Sequence, residues 1–112
     1  MMKNVFKKII DGEVPCDKVF ENDKILAFKD LYPVAPVHIL ILPKKEISNL
    51  NNLTAEDAPL MGDIMLVAKE LAKQFNVEEG WRLLVNNGGG SGQSIPYLHF
   101  HLIGGRRLGS MA

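Results

Sequence analysis

The sequence predicts an α+β domain in which five short strands, mostly in hairpin order, form an antiparallel sheet that carries two helices. Two observations predict this fold. Apolar residues recur at helical spacing in two segments, and elsewhere short runs of apolar and β-branched residues are separated by turn-forming residues. A chain of 112 residues has the length of one domain, so residues 1–112 are expected to fold as a single unit.

The first helix and the first two strands are predicted before residue 30. From Asn4 to Ile10 the apolar residues share one helical face, with Asn4 as the N-cap and Gly12 as the C-terminal stop. Strands at Lys18–Glu21 and Ile25–Lys29 follow, because a turn-forming Asn-Asp pair separates two runs of strand-forming residues. The chain is therefore expected to begin with a short helix and a β-hairpin.

A third strand and the longest helix are predicted after a proline-rich loop. The run His38–Pro43 is dense in β-branched and apolar residues, which is typical of a strand buried on both faces. Apolar residues recur with a helical period between residues 54 and 75. The regular helix should begin at residue 57 or 58, because Pro59 then lies in the first turn, where its missing N–H is tolerated.

The composition excludes several classes of protein and partner. The chain has 13 Lys and Arg and 13 Asp and Glu, and this zero net charge argues against a nucleic acid polymer, whose phosphates attract basic proteins. Cys16 is the only cysteine, so no disulfide forms within the chain. No apolar stretch reaches the roughly 18 residues of a membrane span, and the N-terminus lacks a signal-peptide core. We expect a cytoplasmic protein with no membrane partner.

The last two strands are predicted at Trp81–Val85 and Leu98–Ile103, and the loop between them is unusual. It holds four glycines within the five residues 88–92. Glycines let successive backbone N–H groups approach an anion closely, as in a phosphate-binding nest. No Gly-Lys-Ser/Thr ending marks an NTPase loop, so phosphate binding and a plain flexible connection both stay open.

The three histidines indicate a site. Strand alternation places Tyr97, His99 and His101 on one face of the last strand, and His38 opens the other strongly hydrophobic strand. His99, His101 and His38 could together form a three-imidazole zinc centre. Alternatively, one imidazole could attack phosphorus while its partner handles charge and protons. Phosphoryl chemistry is favoured, because the chain after Gly80 offers hydrogen-bond donors and no Asp or Glu to support a zinc site.

These residues also carry a resemblance. The segment 92–106, GQSIPYLHFHLIGGR, resembles the signature of the histidine triad family, specifically the Hint branch of nucleoside phosphoramidases. The match continues upstream in order, at residues 5–15, 26–30 and 35–44, and spans Val5 to about Leu108. The sequence departs from the family in two places, because Tyr97 stands where the triad has its first histidine and the tail lacks the Trp-Pro-Pro-Gly ending of eukaryotic Hint proteins. At position 97 the side chain is a phenol. We expect its hydroxyl to join the polar network of the histidines without transferring a proton.

The resemblance assigns a role to each site residue. His99 would be the nucleophile, His101 would contact the phosphate and orient the nucleophile, and His38 matches an additional site histidine. Asp30 would accept hydrogen bonds from both ribose hydroxyls, although it could instead cap a turn before Pro33. The base pocket would be lined by Phe6, Ile9, Phe28 and Leu31, although the first three could instead be plain core residues. The phosphate and leaving group would be contacted by Asn86, Gln93 and Ser94.

The function implied by the resemblance is hydrolysis of purine nucleoside 5′-phosphoramidates, such as AMP joined to an amine, through a nucleotidyl-histidine intermediate. The ligand would be a purine mononucleotide, and no metal and no cofactor are implied. The family forms homodimers in which two five-stranded sheets join into one ten-stranded sheet, and such joining removes an exposed sheet edge. The alternatives are a zinc-dependent hydrolase, a dinucleoside polyphosphate hydrolase and a non-catalytic protein that binds a nucleotide or a partner.

Overall fold

A single antiparallel sheet organises the chain in the computed structural model, which describes residues 4–111. Its strand order is β1-β2-β3-β5-β4, so β3 and β5 are neighbours near the centre. The predicted α+β class with two helices is confirmed. The elements are α1 (Val5–Ile10), β1 (Lys18–Glu21), β2 (Ile25–Lys29), β3 (Val37–Pro43), α2 (Ala58–Gln74), β4 (Trp81–Val85) and β5 (Phe100–Gly104).

Both helices begin and end where the local sequence predicts. The Asn4 side chain accepts a hydrogen bond from the N–H of Lys7, and Gly12 follows α1 with a φ of +82°. Before α2, the buried Asp57 carboxylate accepts a hydrogen bond from the N–H of Thr54, while Pro59 occupies the first helical turn. Within residues 4–111, neither helix is long and apolar enough to cross a membrane.

The sheet separates two apolar layers, because β2 and β3 are buried on both faces. One set of alternating side chains packs against α2 and forms the larger core, which includes Ile39 and Ile41. The other set packs against α1 and forms a smaller cluster, which includes Phe28, Leu40 and Tyr97. The prediction that β3 is buried on both faces is confirmed. The α1 side is the one that carries the histidines.

The last strand differs from its predicted range. The sequence pattern predicts Leu98–Ile103, whereas β5 spans Phe100–Gly104. The backbone ahead of it leaves the ladder, because the N–H of Leu98 donates to the carbonyl oxygen of Ile47, in the segment after β3. The predicted alternation nevertheless continues through this stretch, with Leu98 in the α2-side core and Tyr97 in the α1-side cluster.

Candidate active site

The three histidines meet on the α1 side of the sheet. His38 lies on β3 and His101 on the adjacent β5, where His101 pairs with Leu40. The Nε2 atom of His38 lies 2.9 Å from Nδ1 of His101. His99 directly precedes β5, and its ring centroid is 5.0 Å from that of His101. The strand order therefore brings together residues that are 63 positions apart in the chain.

Hydrogen bonds define which nitrogen of each imidazole carries the proton. The N–H of Val34 donates to Nδ1 of His38, so a neutral His38 carries its proton on Nε2. That Nε2–H then donates to Nδ1 of His101. His101 must consequently carry its own proton on Nε2, a buried atom with no hydrogen-bond partner in residues 4–111. The chain of bonds presents a free N–H donor on His101.

His99 presents the complementary group. Its Nδ1 atom lies 2.7 Å from the carbonyl oxygen of Tyr97. A carbonyl oxygen only accepts, so Nδ1 of His99 carries the proton and Nε2 has a free lone pair. The ring of Phe6 packs edge-on against this imidazole at a centroid distance of 4.8 Å. The site therefore combines an unprotonated nitrogen on His99 with an N–H donor on His101.

Burial favours the neutral form of all three imidazoles. It lowers the pKa of His99, against the smaller opposing effects of the Tyr97 carbonyl and the Asp30 carboxylate. Burial also lowers the pKa of His38, again opposed by Asp30. The pKa of His101 falls to about 4, because burial and the two neighbouring histidines both disfavour its charge. Near neutral pH, the lone pair of His99 is therefore available.

A cavity of about 340 Å³ opens beside His99 and His101. Its walls are mostly apolar, and its size is within the usual range for a small-molecule site. The structure brings most of the predicted site residues to this one cavity, namely Phe6, Ile9, Phe28, Asp30, Leu31, Ser94, His99 and His101. An apolar pocket with a few polar groups at one end suits a ligand that is partly aromatic and partly charged.

Asp30 caps a turn and also lines the cavity, so the structure is consistent with both roles that the sequence left open. Its Oδ1 atom accepts a hydrogen bond of 2.8 Å from the N–H of Tyr32, which makes it a turn-capping residue. Its Oδ2 atom lies 3.4 Å from Nε2 of His38, and the residue also lines the cavity. The cap thus leaves acceptor capacity that faces the site.

Asn86 and Gln93 are not among the residues that line this cavity. The side-chain amide of Gln93 donates to the carbonyl of Ser48 at 2.8 Å, and its oxygen accepts from the N–H of Gly88 at 2.7 Å. Ser91 also bonds back to the carbonyl of Gly88. The glycine-rich loop is therefore folded by its own hydrogen bonds and is not a plain flexible connection.

The prediction for the Tyr97 hydroxyl is wrong. The hydroxyl donates to the carbonyl oxygen of Pro43 at 2.6 Å and lies 3.2 Å from that of Lys45, away from the histidines. The long side chain, only 1% exposed, carries the hydroxyl through the α1-side cluster to the end of β3. Burial raises the pKa of this phenol. Tyr97 supports His99 through its main-chain carbonyl instead.

A zinc centre would use a different set of ligands from the predicted one. Among residues 4–111, the potential ligand atoms that lie close together belong to Asp30, His38 and His101, and all lie within 4.8 Å of one another. His99 is not part of this group. Nε2 of His38 and Nδ1 of His101 already face each other across a hydrogen bond, so a cation there would have to replace that bond.

Several residues at the site are absent from the sequence-based prediction, and two of them lie close to Asp30 and His38 in the chain. Tyr32 lines the cavity next to Leu31, and the N–H of Val34 fixes the tautomer of His38. Both lie in the proline-rich loop, whose turn residues indicate an extended connection but not the direction of each group. Their proximity to Asp30 and His38 in the chain is the only signal that the sequence offers for them.

Known proteins resemble this chain over nearly its whole length. A family model for the HIT domain matches residues 11–108. A HIT-like protein of Chlamydia pneumoniae is 46% identical over 108 residues, covering 96% of this chain and 98% of that protein.

Solved structures show the same fold. A HIT family hydrolase from Legionella pneumophila superposes with a TM-score of 0.93 at 42% identity, covering 96% of each chain. A histidine triad nucleotide-binding protein from Candida albicans superposes with a TM-score of 0.82 at 33% identity, covering 98% of this chain and 84% of its own. Sequence and structure therefore agree on the kind of domain.

Proposed function

This chain belongs to the HIT domain family, and from that premise we propose that it is a nucleotide-binding hydrolase that cleaves the P–N bond of purine nucleoside 5′-phosphoramidates. One observation carries the proposal: the free Nε2 lone pair of His99 stands beside the Nε2–H of His101 at an apolar cavity. This pairing matches the need of phosphoryl transfer for a nucleophile and a donor to the phosphoryl oxygens.

The reaction would take place in two displacements. Nε2 of His99 attacks the α-phosphorus and the P–N bond to the amine breaks, while the departing nitrogen takes up a proton from solvent. Water then attacks the same phosphorus and releases one proton to solvent, and the electron pair of the P–N bond to His99 returns to Nε2. In both steps the Nε2–H of His101 donates to a phosphoryl oxygen, because that donor has no other partner in residues 4–111. Splitting one difficult hydrolysis into two easier steps is the gain from covalent catalysis.

The rest of the nucleotide would occupy the apolar part of the cavity. The purine base would lie among Phe6, Ile9, Phe28 and Leu31, and the free acceptor capacity of Asp30 would serve the ribose hydroxyls. Of the three loop residues predicted to contact the phosphate or leaving group, Ser94 is the one that lines the cavity. Gln93 would act by shaping the loop, since its side-chain amide already bonds to the backbone, and Asn86 stays a predicted contact of the phosphate or leaving group. The nucleotide-binding relative from Candida albicans supports this choice of ligand.

A substrate panel with a chelator arm tests the proposal. Purified chain is incubated with adenosine 5′-phosphoramidates, with dinucleoside polyphosphates and with no substrate, each with and without EDTA. We expect AMP and free amine from the phosphoramidates only, at the same rate in EDTA, and a transient protein mass increase of one nucleotidyl group. Loss of activity in EDTA would favour a zinc enzyme. Cleavage of a dinucleoside polyphosphate alone would favour a dinucleoside polyphosphate hydrolase, and binding without turnover would favour a non-catalytic nucleotide-binding protein.

We also propose that the chain forms a homodimer through β4. The sheet has two edges, β1 and β4. β1 is irregular, because its register with β2 shifts between Lys18 and Phe20, and such bulges discourage further pairing. β4 is regular over all five residues, and Leu84 is only half-buried on the same face as His101. Light scattering should give the mass of two chains, and Leu84→Lys should shift it toward one chain, whereas Val19→Lys on β1 should not.

A further inference from the structure

Tyr32 is a large aromatic residue that is almost fully exposed at the mouth of the cavity. Its relative exposure is 84%, yet it lines the same cavity as His99 and His101. Leu31 beside it is equally exposed and also lines the cavity, and contiguous apolar surface at a pocket indicates a place where a ligand or partner is contacted. No sequence pattern assigns a role to this residue, and the chemistry proposed above does not use it.

The backbone around Tyr32 is held in place on both sides. Its own N–H donates to Oδ1 of Asp30 at 2.8 Å. Two residues later, the N–H of Val34 donates to His38, and the carbonyl of Val34 accepts from the Arg106 guanidinium at 2.8 Å. The backbone that carries the ring is therefore tethered by three hydrogen bonds. A tyrosine fixed in this way loses little conformational entropy when it contacts a ligand.

The position of Tyr32 in the cavity indicates that it would contact the base of a nucleotide and not the phosphate. It adjoins Asp30 and Leu31, whereas the reacting phosphate would lie at the histidines and Ser94. A purine base in the cavity would have one face toward the buried rings of Phe6 and Phe28 and the other toward solvent. Tyr32 is the aromatic residue at the solvent side of that space, within the part of the cavity wall that residues 4–111 provide.

We propose that Tyr32 is a specificity-determining residue whose ring stacks on the outer face of the purine base. This inference rests on the proposed function, because it takes the ligand to be a purine nucleotide. Stacking on an aromatic side chain is available to every base, since each has a π-face. Tyr32 should accordingly strengthen the binding of base-containing ligands over the same sugar phosphate without a base.

Binding measurements that do not depend on turnover test this role. The native chain, Tyr32→Ala and Tyr32→Phe are titrated calorimetrically with AMP and with ribose 5-phosphate. Tyr32→Ala should weaken AMP binding about 5- to 150-fold, the range that base stacking gives, while Tyr32→Phe stays within about 3-fold of native. Ribose 5-phosphate should bind all three equally. Leu66→Ala is the matched control, because Leu66 is 58% exposed on α2 and does not line the cavity.

The outcomes separate this inference from the proposed function. If the native chain binds AMP and Tyr32→Ala binds it equally well, the stacking role is overturned and the proposed function stands. If Tyr32→Ala weakens ribose 5-phosphate as much as AMP, the substitution acts on the Asp30 turn and stacking is again overturned. If the native chain binds no purine nucleotide, the proposed function fails and this inference fails with it.

Discussion

The Nδ1 atom of His99 lies 2.7 Å from the carbonyl oxygen of Tyr97, a main-chain atom two residues earlier. The orientation of the candidate nucleophile therefore depends on the backbone at position 97, while the side chain there points to Pro43. Tyrosine can replace the first histidine of the family pattern without disturbing this hydrogen bond. A main-chain carbonyl is present whichever residue occupies position 97, so the tautomer of His99 does not depend on that side chain.

Removing the nucleophile should abolish turnover. His99→Ala eliminates the lone pair that would attack phosphorus, so kcat should fall by at least roughly 10⁴-fold, while AMP affinity changes little. Steady-state kinetics with an adenosine phosphoramidate and calorimetry with AMP measure the two quantities. Ser94→Ala, at the exposed rim of the same cavity, serves as a comparison and should lose far less activity. Near-native kcat in His99→Ala would refute the covalent mechanism.

Changes at Tyr97 should affect stability more than catalysis. Tyr97→Phe leaves the main-chain carbonyl in place but removes the hydroxyl that satisfies the buried Pro43 carbonyl, which should cost about 1–3 kcal/mol of unfolding free energy. Turnover should change less than about tenfold. Tyr97→His should be less stable still, because an imidazole is too short to reach Pro43 and leaves a gap in the α1-side cluster.

Urea unfolding followed by circular dichroism measures these changes at Tyr97. Tyr32→Phe is the control, since it removes the hydroxyl of an exposed tyrosine and should leave stability unchanged. A thousandfold loss of turnover in Tyr97→Phe, with stability intact, would show that the phenol has a chemical role.

Asp30 should discriminate ribose from deoxyribose. Asp30→Asn keeps an oxygen to accept from the N–H of Tyr32 but removes the charge, so AMP binding should weaken by about 1.5–3 kcal/mol. In the native chain, 2′-deoxy-AMP should lose much of the same free energy, and the Asp30→Asn variant should bind both nucleotides nearly alike. Calorimetry of the native chain and of Asp30→Asn, each with AMP and with 2′-deoxy-AMP, gives the four free energies of a thermodynamic cycle. Equal affinity of the native chain for both sugars would leave Asp30 as a turn residue only.

Some features of the site follow from local sequence patterns, and others depend on how distant segments meet. The strand alternation is sufficient to place His99 and His101 on one face, although β5 begins only at Phe100. The partners of the Tyr97 hydroxyl lie more than 40 residues away in the chain, and so does the Ser48 carbonyl that accepts from the Gln93 amide. No periodicity reports such contacts, because they depend on the docking of the segment after β3 against the loop before β5.

The lowered pKa values of the histidines predict the pH dependence of activity. His99 acts as a nucleophile only when it is neutral, and burial lowers its pKa from the usual 6.5. The acid limb of the kcat/KM profile, which reports the free protein, should therefore have its midpoint below pH 6.5, with a plateau through neutrality. Asp30→Asn should move this midpoint lower still, because the Asp30 carboxylate favours the protonated imidazole. A midpoint above pH 6.5 would contradict the burial of His99.

Gly105, directly after β5, packs against Pro36 in the proline-rich loop that leads to His38. Its φ is +95°, and a Cβ there would lie 2.9 Å from Cβ of Pro36, two residues before His38. Gly105→Ala therefore combines backbone strain with a steric clash, and it should lower the unfolding free energy by about 1–3 kcal/mol. Gly62→Ala is the opposite control, because Gly62 lies exposed within α2 and a Cβ added there would meet nothing within 4 Å. That substitution should stabilise the chain by about 0.5–1 kcal/mol. Equal effects of the two substitutions in urea unfolding would show that the contact between Gly105 and Pro36 does not constrain the loop.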